Sequence, residues 1–229
     1  MLILAMESSA KPASVAVCEN EKLLGQYFQN TALTHSRTLM AMVESLLKNL
    51  DIKIPDIDLF AVSRGPGSFT GVRIGVSAAK GLAWGAGKQI CGISTLEAMA
   101  YQIPVENNII CPVMDARREQ VYNALFKWEN GELTRIKEDR AISLIELSNE
   151  MREYDKRFIL IGDASDKCYQ EFTEIDLTCD IAPPLLRYQT AYGVALASQK
   201  TTPIEDGKRV EMNYGKPKTR DNTAGLNVS

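Results

Sequence analysis

Two apolar runs ending in an acid stand in corresponding places in the two halves of this chain. One is Ile3-Leu4-Ala5-Met6-Glu7 and the other is Ile109-Ile110-Cys111-Pro112-Val113-Met114-Asp115. Each reads as a buried strand. After the first come strand-like segments at 13–18 and 22–28, joined by the polar turn Glu19-Asn20-Glu21. Thr34 is then a good N-cap for a helix from His35 to about Asn49. A strand at 59–63 follows, then a helix to about Trp84, a strand at 89–93, and a short helix capped by Thr95 that ends before Pro104. After the second acid-terminated run the order restarts. Strands are expected at 120–128 and 133–137 around an Asn130-Gly131 hairpin turn. A helix at 143–154 and a strand at 158–162 follow, then a helix opened by Asp163 and a last helix at 189–199.

Two copies of strand–strand–strand–helix–strand–helix imply duplication and an α/β fold with mixed sheets, antiparallel at first and parallel after the helix. Such a pair of domains resembles the duplicated actin-like (ASKHA, ribonuclease H-like) architecture of actin, hexokinase and sugar kinases. In that architecture the first hairpin of each domain holds phosphates and the cleft between domains holds ATP. The expected division is an N-terminal domain at 1–104, a second domain at 105–200, and a polar tail at 201–229, partly disordered or packed back on the first domain.

Composition removes several classes. The 229 residues include a single histidine, His35, so a metal site built on two or three imidazoles is excluded, as is an H-E-x-x-H protease site. Five cysteines without a C-x-x-C pair read as reduced, buried thiols. A net charge of −3 offers no broad basic field for nucleic acid. No apolar run reaches the roughly 18–20 residues that span a bilayer. The N-terminus lacks the basic start of a signal peptide, and a cytoplasmic chain with no membrane contact is expected.

The stretch Gly65-Pro66-Gly67-Ser68-Phe69-Thr70-Gly71-Val72-Arg73-Ile74-Gly75 looks at first like a phosphate loop. Its glycines miss the dinucleotide spacing by one residue, and Gly87-Lys88 lacks the hydroxyl residue and first glycine of a Walker A loop. Within the helix, Gly71, Gly75, Ala79 and Ala83 recur every four residues, as do Ser77, Gly81 and Gly85. Small residues four apart share a face and admit a close neighbour. That neighbour is the chain's own sheet or a partner's helix; an anion at the helix N-terminus is the third alternative. The preceding helix carries an apolar stripe of Leu39, Val43, Leu46, Leu47 and Leu50, widened by Met40 and Met42.

The glycine stretch closely resembles the signature of the TsaB (YeaZ) family. The likeness extends to Ile3–Ser9, His35-Ser36-Arg37, Gly92–Leu96 and Met114–Arg118. The resemblance implies a duplicated actin-like fold and a non-catalytic subunit without a cofactor. Such a subunit pairs with TsaD as a heterodimer, works with TsaE and meets tRNA through the complex; in the absence of TsaD the apolar surface of the two helices is expected to meet its own copy in a twofold homodimer. The reaction is threonylcarbamoylation of the adenosine next to the tRNA anticodon. Partner contacts are then expected at His35, Leu39, Met40, Met42, Val43, Gly71, Arg73, Gly75, Ser77, Lys80, Gly81 and Trp84. A vestigial nucleotide cleft is expected at Glu7, Ser8, Asp115 and Arg117. TsaD-type proteins hold a metal with two histidines four apart; here His35 is followed at that position by Leu39.

The residues themselves leave a second reading, an actin-like ATPase or small-molecule kinase using Glu7 and Asp115. Against it, neither hairpin turn after these acids contains a glycine whose amide could approach a phosphate. The acids can equally cap or pair locally. His35 reads either as a surface or interface hydrogen-bonder or as a catalyst. The basic tail residues Lys208, Arg209, Lys216, Lys218 and Arg220 read as a solvated segment or as a contact for tRNA or a partner.

Overall fold

The computed structural model describes residues 1–203 and 210–213. Strands β1 (Leu2–Glu7), β2 (Ala13–Glu19), β3 (Lys22–Gln29), β4 (Leu59–Ser63) and β5 (Gln89–Ile93) form one sheet in the order β3-β2-β1-β4-β5. The second sheet runs β10-β9-β6-β7-β8, from β6 (Asn108–Asp115), β7 (Gln120–Glu129), β8 (Glu132–Ser143), β9 (Arg157–Ile161) and β10 (Cys179–Ile181). In each sheet the first three strands pair antiparallel and the last two add in parallel. The two orders match strand for strand, so the duplication read from the acid-ended runs holds in the topology.

Among the described residues six α-helices complete the repeat: α1 (His35–Asn49), α2 (Phe69–Ala86) and α3 (Thr95–Tyr101) in the first half, then α4 (Leu144–Met151), α5 (Ser165–Glu174) and α6 (Ala191–Ser198). Burial on both faces explains the unbroken apolar runs of the central strands. In β1, Leu4 and Met6 face a core shared with α1 and α2, while Ile3 and Ala5 face α6.

The last helix of each half crosses over. Helix α6 follows the second sheet but packs on β1, β2 and β4 of the first; α3 follows the first sheet but packs on β6 and β7 of the second. The two helices meet between the sheets. A Cβ added to Gly193 of α6 would strike the Ala98 carbonyl of α3, so only glycine lets the backbones come this near.

Several boundaries differ from the sequence reading. Helix α3 is capped by Ser94, whose hydroxyl accepts from the Glu97 amide, and Thr95 is its first residue. Thr34 stands at the N-cap of α1 without a side-chain capping bond. Strand β8 runs well past 137 to Ser143, and Ser143 caps a helix that stops at Met151 rather than Tyr154. Helix α5 opens at Ser165, two residues after Asp163. The five cysteines are buried with free thiols, and burial pushes those of Cys18 and Cys168 up to about 12. Among the described residues no helix is long and apolar enough to cross a membrane. The basic residues Lys208, Arg209, Lys216, Lys218 and Arg220 lie outside the described residues.

Candidate functional site

The glycine stretch leaves β4 and enters α2, and its glycines make room for the chain itself. A Cβ on Gly67 would strike the Ser9 carbonyl, one on Gly71 the Ser8 carbonyl, and one on Gly75 the Ser8 hydroxyl. The Ser68 amide donates to the Ser9 carbonyl at 2.6 Å, and the Ser8 hydroxyl donates to the Gly71 carbonyl at 2.9 Å. Ser68 caps α2 by accepting from the Gly71 amide. The loop therefore grips the Ser8–Ser9 turn at the end of β1.

This grip buries Glu7 completely. Its Oε1 accepts from the Ser9 amide, and Oε2 has no hydrogen-bond partner among the described residues. Loss of water holds the Glu7 carboxyl above the ordinary carboxylate range, against the smaller pull of the neighbouring serine groups, those of Ser9 first. The expectation that Glu7 and Ser8 line a nucleotide cleft is thus corrected: both side chains are buried, and the cleft wall begins at Ser9.

The cleft itself is a cavity of about 840 Å³ between the halves. Asp115 and Arg117 line it together with Asp163, Lys11, His35 and the first turn of α2. Asp115 accepts from the Arg117 amide at 2.8 Å. The turn that follows carries Arg117, Arg118 and Glu119 at φ of 65°, 51° and 59°, left-handed conformations that glycine would adopt more readily. Asp163 faces the cleft with protein around it; this partial desolvation raises its carboxyl, and the nearby Asp115 charge adds a smaller push the same way. His35 is committed locally: its Nε2 lies 2.7 Å from the Ala10 carbonyl, and Gly71 leaves space for its ring. Among the described residues no three His, Cys, Asp or Glu side chains are grouped to hold a metal ion.

Helix α2 has two seams, and the structure separates them. Gly71, Gly75, Ala79 and Ala83 are buried against the first sheet. Ser77, Gly81 and Gly85 face outward, with nothing within 4 Å of where a Cβ on Gly81 or Gly85 would stand. Beside that seam Trp84 is 80% exposed and Phe69 52%, with the Arg73 guanidinium 3.6 Å above the Phe69 ring. Lys80 is half-buried on the same helix. On neighbouring α1, Met40 is 43% exposed, whereas Leu39, Met42 and Val43 sink into the core. The expected partner surface is therefore corrected for Leu39, Met42, Val43, Gly71 and Gly75, whose contacts are made inside the chain. His35, Met40, Arg73, Ser77, Lys80, Gly81 and Trp84 remain at or near the surface. The sequence reading missed Phe69 and Asp163; the adjacent Arg73 at the fourth position was the available signal for Phe69.

The family model "TsaD: tRNA N6-adenosine threonylcarbamoyltransferase" matches residues 24–224. The TsaB protein of Bacillus subtilis is 35% identical over 162 residues, 71% of each chain. The chain belongs to the TsaB (YeaZ) family. The TsaB of Haemophilus influenzae is 31% identical and covers 88% of this chain and 89% of its own length. Both relatives are named tRNA threonylcarbamoyladenosine biosynthesis proteins. YeaZ from Pseudomonas aeruginosa superposes with a TM-score of 0.75 at 22% identity, over 93% of this chain and 99% of that one. A putative N-acetylmannosamine kinase from Listeria monocytogenes superposes at 0.51 with 10% identity, covering 87% of this chain and 98% of that one, a likeness of fold alone. With the matching sheet orders, these neighbours identify the duplicated actin-like fold.

Proposed function

We propose that the chain is a non-catalytic subunit in the synthesis of threonylcarbamoyladenosine on tRNA, docking on TsaD through the outer face of α2 and the adjoining edge of α1. The observation that carries this reading is the outward seam Ser77, Gly81 and Gly85, bordered by Trp84 and by Phe69 under Arg73. Small residues flanked by exposed aromatics suit a partner helix that must approach closely, and aromatic and arginine side chains are frequent anchors of such contacts. The family relationship supports TsaD as the occupant, with TsaE and tRNA joining through the complex in the cytoplasm. In the absence of TsaD a second copy meets the same face, giving a twofold homodimer.

The second reading, an ATPase or kinase, rests on the cleft that holds Asp115 and Asp163. Burial of Glu7 weakens it, because a carboxylate beneath the Ser8–Ser9 turn is out of reach of a phosphate-bound cation in the cleft. Copurification of the chain with its own TsaD, TsaE and tRNA, alongside ATP turnover by the chain alone, separates the two. The subunit reading expects a complex and no turnover of its own. Turnover by the isolated chain that Asp115→Asn abolishes, with no complex formed, favours the enzyme.

A further inference from the structure

Residues 210–213 return to the first sheet across the base of the glycine loop. Val210 is buried in the core shared with α1 and α2, and Met212 packs against the same cluster. A Cβ on Gly92 of β5 would come within 2.7 Å of Val210 Cγ1, so the bare backbone of Gly92 is the seat of this segment. The Asn213 amide donates to the Arg64 carbonyl at 2.6 Å. The Asn213 carbonyl lies where a Cβ on Gly65 would be, and Gly65 has φ of +98°. Two glycines on different strand ends thus admit one short piece of tail.

The side chain of Asn213 turns to the other half of the molecule. Its Nδ2 donates to Asp139 Oδ2 at 3.0 Å. The same oxygen accepts from the Ser94 hydroxyl at 2.7 Å, and Oδ1 accepts from Arg135 at 2.6 Å. Arg135 also reaches Glu97 of α3 at 2.9 Å. One carboxylate on β8 of the second sheet therefore gathers the tail, the cap of α3 and its own strand neighbour. The loop receiving Asn213 is also held from the far side: the Arg64 amide donates to Ile93, and the Thr95 amide to Gly65. Helix α2 starts four residues after Gly65.

We propose that residues 210–213 form a strap that couples the angle between the two halves to the pose of α2, with Asn213 as its positioning residue. The step to partner affinity rests on the docking function proposed above; the strap itself does not. A change in the angle of the second sheet moves Asp139, Asn213 follows through its amide side chain, and the Arg64–Gly65 peptide moves with the Asn213 backbone. Because α2 is reached within one turn of that peptide, the outward seam shifts as a body. A carboxylate with three donors is hard to shift one partner at a time, since a half-paired charge in a part-buried site is costly.

The test uses the full chain and its Asn213→Ala, Asp139→Asn, Gly92→Val and Ser77→Trp variants, each checked for a native melting transition. Amide hydrogen exchange is read at Thr95, Ser68 and Asn213, and TsaD affinity by calorimetry. Asn213→Ala and Asp139→Asn are expected to speed exchange at Thr95 and Asn213 by about tenfold, the scale of one lost hydrogen bond, and to weaken TsaD binding several-fold. Gly92→Val is expected to do the same by displacing Val210, whose Cγ1 lies nearest, with the aliphatic part of the Arg64 side chain next to it. Wild-type exchange at these amides in folded Asn213→Ala and Gly92→Val overturns the strap. Ser77→Trp is expected to lose TsaD with unchanged exchange. If Ser77→Trp binds normally while the strap variants still speed exchange, the docking reading fails and the strap stands.

Discussion

The Ser8 hydroxyl donates to the Gly71 carbonyl at 2.9 Å, tying the end of the central strand to the first turn of the helix that bears the candidate partner surface. That bond, together with the Ser68 amide on the Ser9 carbonyl, explains why the glycine stretch must be glycine where it is. The backbone of one element sits where the side chains of the other would be.

A first consequence concerns Gly75. A side chain there meets the Ser8 hydroxyl and then the Val62 methyl, with no free volume to enter. Gly75→Leu is expected to cost several kcal/mol, at or above the roughly 1–3 kcal/mol typical of overpacked cores. Denaturant unfolding measures it; a wild-type midpoint with an unchanged slope contradicts the packing described.

Glu7 gives a pH signature. Its folded-state carboxyl is held above the ordinary range by burial, so the folded chain binds a proton that the unfolded chain has released. The stability this gives is fully present below the unfolded carboxylate range, about pH 4, and is lost as pH rises through the folded value. Glu7→Gln keeps an acceptor for the Ser9 amide and removes the titration. The variant is expected to match the parent near pH 4 and exceed it at pH 7. Unfolding at both pH values decides it: a variant weaker than the parent at pH 7 counts against the desolvated acid.

In the second half, Arg140 holds Glu150 by two bonds of 2.7 and 3.0 Å and reaches the buried Asn123 as well. Desolvation works against the Glu150 charge, but the Arg140 hydrogen bonds and charge outweigh it and keep the carboxyl below its ordinary range. Glu150→Ala is expected to cost about 1–3 kcal/mol at neutral pH, because Arg140 loses its carboxylate partner. The sign is opposite to Glu7: this stability is present above the unfolded carboxylate value and fades as pH falls through the folded one. Parent and variant should therefore draw together as pH falls below the ordinary carboxylate range; a difference that does not shrink in acid contradicts the ion pair as its source.

Much of the fold was legible because the strands that matter are buried on both faces. The apolar runs of β1 and β6 stood out against polar turns, and the repeated order gave the sheet topology. Strand β8 extends past the 133–137 segment legible in the sequence because the residues that continue it, Glu138 to Arg140, are charged; Asp139 and Arg140 find partners in Ser94 and Glu150 on other elements. The candidate surface was half legible. Spacing identified two small-residue seams on α2 but could not say which faced the sheet, since both repeat every four residues. Burial of Glu7 was hidden for a related reason. Its place at the strand end suggested a cleft, while the covering turn is held down by contacts to residues some sixty positions away.

Docking of TsaD on the outward seam of α2 is open to test by a bulky side chain placed there. Ser77 is exposed, so Ser77→Trp leaves the core of the first sheet intact. Calorimetric titration of TsaD into the variant, with a melting curve on the same sample, is the measurement. A parent-like melt is expected with an affinity at least about thirtyfold weaker, about 2 kcal/mol, the scale of a disrupted hot spot. A folded variant that binds TsaD as tightly as the parent would contradict it.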